Sequence, residues 1–129
     1  MGSVAPQPEA AETILVVEDE ALIRFMVAET FEEQGYRVLE ADSAAAARQL
    51  LEEHPEVAAM VTDVRMANPL DGLELARWVR KQRPQTKIVV TSGYVSDAEW
   101  RKFSDSFDRF VGKPYTPAEL VSIVERLFE

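Results

Sequence analysis

The chain has 129 residues, 14 Lys plus Arg, 23 Asp plus Glu, a formal charge of −9, one histidine and no cysteine. The length suits one domain with a single core, and the lack of cysteine excludes a disulfide framework, a thiolate metal site and a cysteine nucleophile. The acidity argues against binding nucleic acid or an anionic membrane, because both are met with Lys and Arg, and the lone His54 excludes a multi-histidine metal site.

Residues 1–11 lack the basic start and apolar centre of a signal peptide. They are expected to be a disordered tail, with the domain spanning 12–129. No run reaches the ~20 apolar residues of a membrane span, so the expected setting is cytoplasmic. Ile14–Val17 is a nearly continuous apolar run and reads as a strand covered on both faces. Residues 20–34 place Leu22, Ile23, Met26, Val27, Thr30 and Phe31 on one helical stripe, with Gly35 as the stop. Tyr36–Leu39 is a second strand, and residues 43–53, an alanine run with Leu50 and Leu51, form a second helix before Pro55. His54 reads as a surface cap at the negative end of that helix.

Val57–Thr62 is the third strand. Asp71, three residues before Glu74, is expected to cap a third helix that carries Leu73, Leu75, Ala76 and Val79 toward Pro84. Lys87–Thr91 is the fourth strand, and Ser96 with Glu99 forms a capping box for a short, polar fourth helix. Phe107–Val111 is the fifth strand. Thr116 and Glu119 form a second capping box, with Pro117 at the first helical position, and start a last helix bearing Leu120, Val121, Ile123, Val124, Leu127 and Phe128.

Regular alternation of strands and helices predicts an α/β fold: a five-stranded parallel sheet, doubly wound, flavodoxin-like in strand order 2-1-3-4-5, with five helices. Ligands bind such sheets beyond the carboxyl ends of the strands, where the winding direction reverses between strands 1 and 3. At those ends stand Glu18 and Asp19, then Asp63, then Thr91-Ser92-Gly93, then Gly112-Lys113-Pro114. Three carboxylates would therefore converge beside a hydroxyl and an ammonium. Like charges ~4 Å apart repel by about 4 kcal/mol at an effective dielectric of ~20. A hard divalent cation relieves that repulsion, since Mg²⁺ takes carboxylate oxygens and keeps sites for water or phosphate. Taken singly, Asp19 reads as a helix cap, Asp63 as a turn residue and Lys113 as a solvated surface lysine. Their conjunction at the right strand ends points to a site.

Glu18-Asp19, Asp63 within Val-Thr-Asp-Val-Arg-Met, Thr91-Ser92 and Lys113-Pro114 together resemble the signature of the response-regulator receiver domain of two-component signalling. The resemblance runs from about Glu12 to Phe128, and the stretch from Leu70 to Leu75 adds to it. Single-domain chemotaxis-type regulators are similar in length. The resemblance implies that Asp63 is a phosphoacceptor, that Asp19 ligates Mg²⁺ directly and Glu18 largely through water, and that the backbone carbonyl of Arg65 completes the protein ligands. It implies that Thr91 and Lys113 meet phosphoryl oxygens, and that Phe110 is the switch aromatic, answering movement of Thr91. The switching face would be helix 4, strand 5 and helix 5. Tyr94, Trp100 and Tyr115 are expected around that face, either as ordinary packing or as a surface for a downstream protein. The donor would be a histidine kinase or histidine phosphotransfer protein, a phosphorylation-dependent homodimer is compatible with the family, and the protein would be a signalling phosphoacceptor, not an enzyme.

Two features depart from the family pattern. The run Met66-Ala67-Asn68-Pro69-Leu70-Asp71 displaces a proline and lengthens the loop after the acceptor by one residue. Arg65 is a large cation beside the acceptor, free to reach the phosphoryl group, a carboxylate or solvent. Three rival readings compete. A flavodoxin-like flavin-binding electron carrier needs a Ser/Thr/Gly-rich phosphate loop after strand 1, where Glu18-Asp19-Glu20 stands instead. An Asp-nucleophile phosphatase wants a second Asp at the position of Arg65. A degenerate receiver acting only in docking would not need the full acceptor set. With no output domain after the receiver, the chain reads as a stand-alone regulator or as a receiver taken from a longer protein.

Overall fold

The computed structural model describes residues 11–129, so the expected tail lies, apart from Ala11, outside the described residues. The elements alternate throughout: β1 (Thr13–Val17), α1 (Ala21–Glu33), β2 (Arg37–Ala41), α2 (Ala44–Glu53), β3 (Val57–Asp63), α3 (Asp71–Gln82), β4 (Lys87–Ser92), α4 (Asp97–Phe103), β5 (Arg109–Gly112) and α5 (Pro117–Phe128). All strand pairs are parallel, in the order β2-β1-β3-β4-β5, which is the predicted doubly wound sheet. No helix among the described residues is long and apolar enough to cross a membrane.

The continuous apolar strands follow from helices on both faces. Ile14 and Val16 of β1 join Val27, Phe31, Leu120 and Val124 in the layer of α1 and α5. Leu15 and Val17 turn the other way, toward Leu51, Leu73, Val79 and Phe103 of α2, α3 and α4. Each fully buried side chain of this kind contributes roughly 1.5–3 kcal/mol of transfer free energy, so the central strands anchor both layers.

Helix starts follow their capping chemistry. Ser43, Ser96 and Thr116 each accept a hydrogen bond from a first-turn N–H, and Ser96–Glu99 and Thr116–Glu119 form the two predicted boxes. His54 is the C-cap of α2, its Nδ1 3.0 Å from Glu56 Oε2. Gly35, the predicted stop of α1, has φ +97°, in the region that favours glycine.

Four expectations shift. Asp71 does not cap α3; it is the first helical residue, and its carboxylate accepts the Asn68 N–H at 2.8 Å, so it holds the lengthened loop. Tyr36 precedes β2, because its ring packs edge-on against Phe31 at 5.7 Å. Phe107 precedes β5; Asp108 follows it and takes up the Ile88 N–H with its carboxylate, so the ladder starts at Arg109. In α1 the buried residues are Val27, Ala28 and Phe31, while Leu22, Phe25 and Met26 are exposed. The helix starts at the carboxyl edge of the sheet, so its first turns overhang the strands, and apolar spacing alone does not reveal that.

Candidate functional site

The register brings the four strand ends to one edge. Val17 is level with Thr62, Asp63 with Thr91, and Ser92 with Gly112. Val64 N–H donates to the Thr91 carbonyl and Lys113 N–H to the Ser92 carbonyl, so the ladder continues past the strands and fixes the loops that follow. The Lys113–Pro114 peptide is cis.

Glu18, Asp19 and Asp63 each offer a carboxylate oxygen within 4.8 Å of the others. Glu18 and Asp63 are buried and Asp19 is exposed. Lys113 Nζ donates to Asp63 Oδ2 at 3.0 Å and lies 4.0 Å from Glu18 Oε1. Burial pushes the Glu18 carboxyl up to about 7, the Asp63 charge adds to this, and the Glu20 N–H and Lys113 oppose it. One ammonium therefore does not balance three carboxylates. A set of hard oxygen donors, two of them buried and mutually repelling, fits a divalent cation that favours oxygen ligands.

A cleft of 430 Å³ opens beside these groups, lined by Asp19, Asp63, Arg65, Ser92, Tyr94 and Lys113. Thr91 and Ser92 are buried at the end of β4, and the Ser92 hydroxyl, which lines the cleft, is tied to the Tyr94 backbone. A larger groove, 660 Å³, lies at the amino end of the sheet beside Trp78 and Arg83. There the Arg83 guanidinium donates to the carbonyls of Leu51, His54, Pro55 and Val57, so this cation is committed to holding the chain together.

Three residues have larger parts than their sequence context suggests. Gly72, in the first turn of α3, donates its N–H to the Val64 carbonyl at 2.8 Å, and a Cβ there would overlap the Asp63 carbonyl oxygen. Only glycine lets α3 press against the end of β3 this closely. Arg65 pairs with Glu99 through both guanidinium nitrogens, Nη2 at 2.9 Å and Nη1 at 3.3 Å, and also donates to the Tyr94 and Pro69 carbonyls. Of the three destinations open to Arg65, a carboxylate is the one it takes. The guanidinium in turn holds the Glu99 carboxyl down at about 2. The remaining signal in the sequence was weak: Glu99 was already accounted for as a cap, and its partner lies 34 positions away.

The aromatic residues divide. Phe110 packs on the α2–α3–α4 side and meets Trp100 edge-on at 6.0 Å; Trp100 also meets Phe107 at 5.6 Å. Trp100 and Tyr94 are exposed. Tyr115 departs from the expectation: it packs in the opposite layer with α1 and α5, and burial beside Glu18 and Asp63 pushes its phenol up to about 12. Its place after Pro114 carries it across the sheet edge, away from Trp100.

A model of the response regulator receiver domain matches residues 14–125. The chain is 36% identical over 119 residues to the sensor kinase CckA of Brucella abortus, covering 91% of this chain and 12% of that protein. It is 30% identical over 115 residues to the response regulator receiver protein CpdR of the same organism, covering 88% of this chain and 94% of CpdR. It superposes on the response regulator TrrA of Thermotoga maritima, solved in complex with Mg²⁺ and BeF, with a TM-score of 0.77 at 29% identity, covering 90% of this chain and 98% of that one.

Proposed function

The chain belongs to the response regulator receiver domain family, and from that premise we propose that it accepts a phosphoryl group on Asp63 and passes the change to its α4–β5–α5 face. The carrying observation is the ammonium of Lys113 at 3.0 Å from a buried strand-end carboxylate, beside an open cleft. A carboxylate oxygen of Asp63 attacks phosphorus; the bond to the donor breaks and its electron pair leaves with the donor nitrogen, which takes a proton from solvent. The product is an acyl phosphate. Phosphoryl transfer needs positioning and charge neutralisation above all. Lys113 neutralises one phosphoryl oxygen and the Thr91 hydroxyl donates to another. Glu18, Asp19, Asp63 and the Arg65 carbonyl would hold Mg²⁺, which supplies further charge for the transferring oxygens when bound.

Similarity to part of a sensor kinase and to nearly all of a receiver protein supports a histidine kinase or histidine phosphotransfer protein as the donor, and a cytoplasmic setting is part of the same proposal. Movement of Thr91 toward the phosphoryl group would open space for Phe110, whose packing on Trp100 makes the exposed aromatic surface of α4 respond. That surface, with Tyr94 and Trp100, is the proposed contact for a downstream protein or a second copy. Intact-mass measurement with acetyl phosphate tests the reading. Wild type should gain one acid-labile phosphoryl group with Mg²⁺ and far less without it, and Asp63→Asn should gain none. An Asp63→Asn protein labelled like wild type refutes the acceptor assignment.

A further inference from the structure

Arg65 joins three segments in one guanidinium: the loop after the acceptor through the Pro69 carbonyl, the β4–α4 loop through the Tyr94 carbonyl, and α4 through Glu99. Glu99 Oε1 also accepts the Ser96 N–H at 2.9 Å, so the same carboxylate closes the capping box. The helix it starts has seven residues, of which Phe103 is the buried one. A helix that short is not stable by itself. At its carboxyl end α4 is held by Phe103 and in its middle by Trp100 on Phe107 and Phe110; at its amino end Val95 packs on the core and Arg65 adds a charged tie to two loops.

Arg65 also lines the cleft that holds Asp63 and Lys113. Converting a carboxylate to an acyl phosphate raises the local negative charge and adds acceptor oxygens. Lys113 is already engaged by Asp63 and near Glu18. Arg65 is the other cation of the cleft, and a guanidinium fork suits phosphate oxygens as well as carboxylate oxygens. Its present pair is partly exposed, with side-chain exposures of 35% for Arg65 and 19% for Glu99. Glu99 keeps the hydrogen bond from the Ser96 N–H when the pair opens, and the exposed part of the pair is open to water.

We propose that Arg65 is a latch with two alternative partners: it holds α4 through Glu99 before phosphorylation, and leaves Glu99 for the phosphoryl group afterwards. This rests on Asp63 being the acceptor. Release removes the charged tie at the amino end of α4 and leaves Val95 as its remaining anchor there. Trp100, next to Glu99 and in edge contact with Phe107 and Phe110, is then repositioned with the first turn. Arg65 is thus a positioning residue for α4 and a phosphoryl ligand in turn.

Linkage makes the proposal testable, because an interaction lost on phosphorylation must oppose phosphorylation. The full chain is incubated with graded acetyl phosphate and Mg²⁺, and the labelled fraction is read by intact mass for wild type, Glu99→Gln and Arg65→Ala. Glu99→Gln keeps a carbonyl for the Ser96 N–H but frees Arg65, so half-labelling should need about fivefold less donor. Arg65→Ala loses the phosphoryl partner and should need more donor than wild type. A purely structural tie would move both variants in the same direction, and that result, or no movement in either, overturns the latch. Backbone amide exchange over residues 96–103 gives a second readout: faster on phosphorylation in wild type, and already fast in unlabelled Glu99→Gln. Unchanged exchange in labelled wild type also overturns it. If Arg65→Ala does not fold, Arg65→Gln supplies the same arm. Wild type that gains no phosphoryl group removes the acceptor reading and the latch with it, whereas labelling with parallel variants removes the latch alone.

Discussion

Two glutamates flank the cleft and are displaced in opposite directions. Glu18, on the β1 side, is pushed up to about 7 by burial; Glu99, on the α4 side, is held at about 2 by the Arg65 guanidinium. The residue type is the same, so the difference lies in what surrounds it. On the β1 side the scaffold forces three carboxylates together against their repulsion, with one ammonium between them. On the α4 side each charge has found its opposite, and the geometry is set by the pair itself. The first region is held by the fold and lacks positive charge; the second is satisfied and must break a good contact to move. Those two arrangements suit the cation-binding centre and the switch element proposed above.

The largest expected effect comes from breaking the scaffold behind the carboxylates. Gly72→Ala places a methyl group on the Asp63 carbonyl oxygen and against the Val64 backbone, so α3 must move away from β3. Overpacking against rigid backbone costs ~3 kcal/mol or more. Urea unfolding should show that loss, and Mg²⁺ titration of the folded fraction should show weakened binding. A variant of near wild-type stability would mean that the acceptor strand does not depend on this contact.

The second effect is a pH dependence of the metal-free protein. The folded carboxyl of Glu18 titrates near 7 against an ordinary value of 4.5, so between those values the folded state holds a proton that the unfolded chain has released. Stability should then fall as pH rises from 4.5 to 7, by roughly 3 kcal/mol. Glu18→Gln should flatten that slope, as read by urea midpoints at pH 5 and pH 7.5. Mg²⁺ should displace the proton, making its apparent affinity rise over the same window. A slope of the opposite sign would show that Lys113, not burial, dominates the Glu18 carboxyl.

The carboxylate side was legible in the sequence and the α4 side was not, for a physical reason. Glu18, Asp19, Asp63, Thr91 and Lys113 each follow an apolar run, and a parallel sheet necessarily brings the ends of such runs to one edge. Periodicity therefore sufficed for the topology and for the members of the cluster. It could not reveal which turns of α1 have strands beneath them, and of the stripe through Leu22, Met26, Val27 and Phe31 only Val27 and Phe31 are buried. Nor could it place Tyr115, because the chain crosses the sheet edge between Phe110 and that residue. The Arg65–Glu99 contact joins the loop after β3 to helix α4, 34 positions on, and Glu99 already had a local explanation as the partner in a capping box. Asp71 was misread for a related reason: its carboxylate serves the loop before the helix and not the helix itself.

The smallest effect sharpens the contrast from its satisfied side. Glu99 keeps its charge in the folded state down to about 2, while in the unfolded chain it is protonated below 4.5. Its contribution is present above 4.5 and is lost as pH falls toward 2, the reverse of the Glu18 slope and in the adjoining window. The pair is partly exposed and screened by salt, so the amount is on the order of 1 kcal/mol and should shrink in ~1 M salt. Together the two glutamates make the metal-free protein most stable near the ordinary carboxyl value, where Glu18 is still protonated in the fold and Glu99 is already paired. Glu18→Gln should remove the decline above that point and leave the acid limb, and Glu99→Gln should do the converse. If Glu99→Gln instead altered the neutral limb, the two clusters would be coupled through Arg65 even without a phosphoryl group, and the α4 side would not be the self-contained region described above.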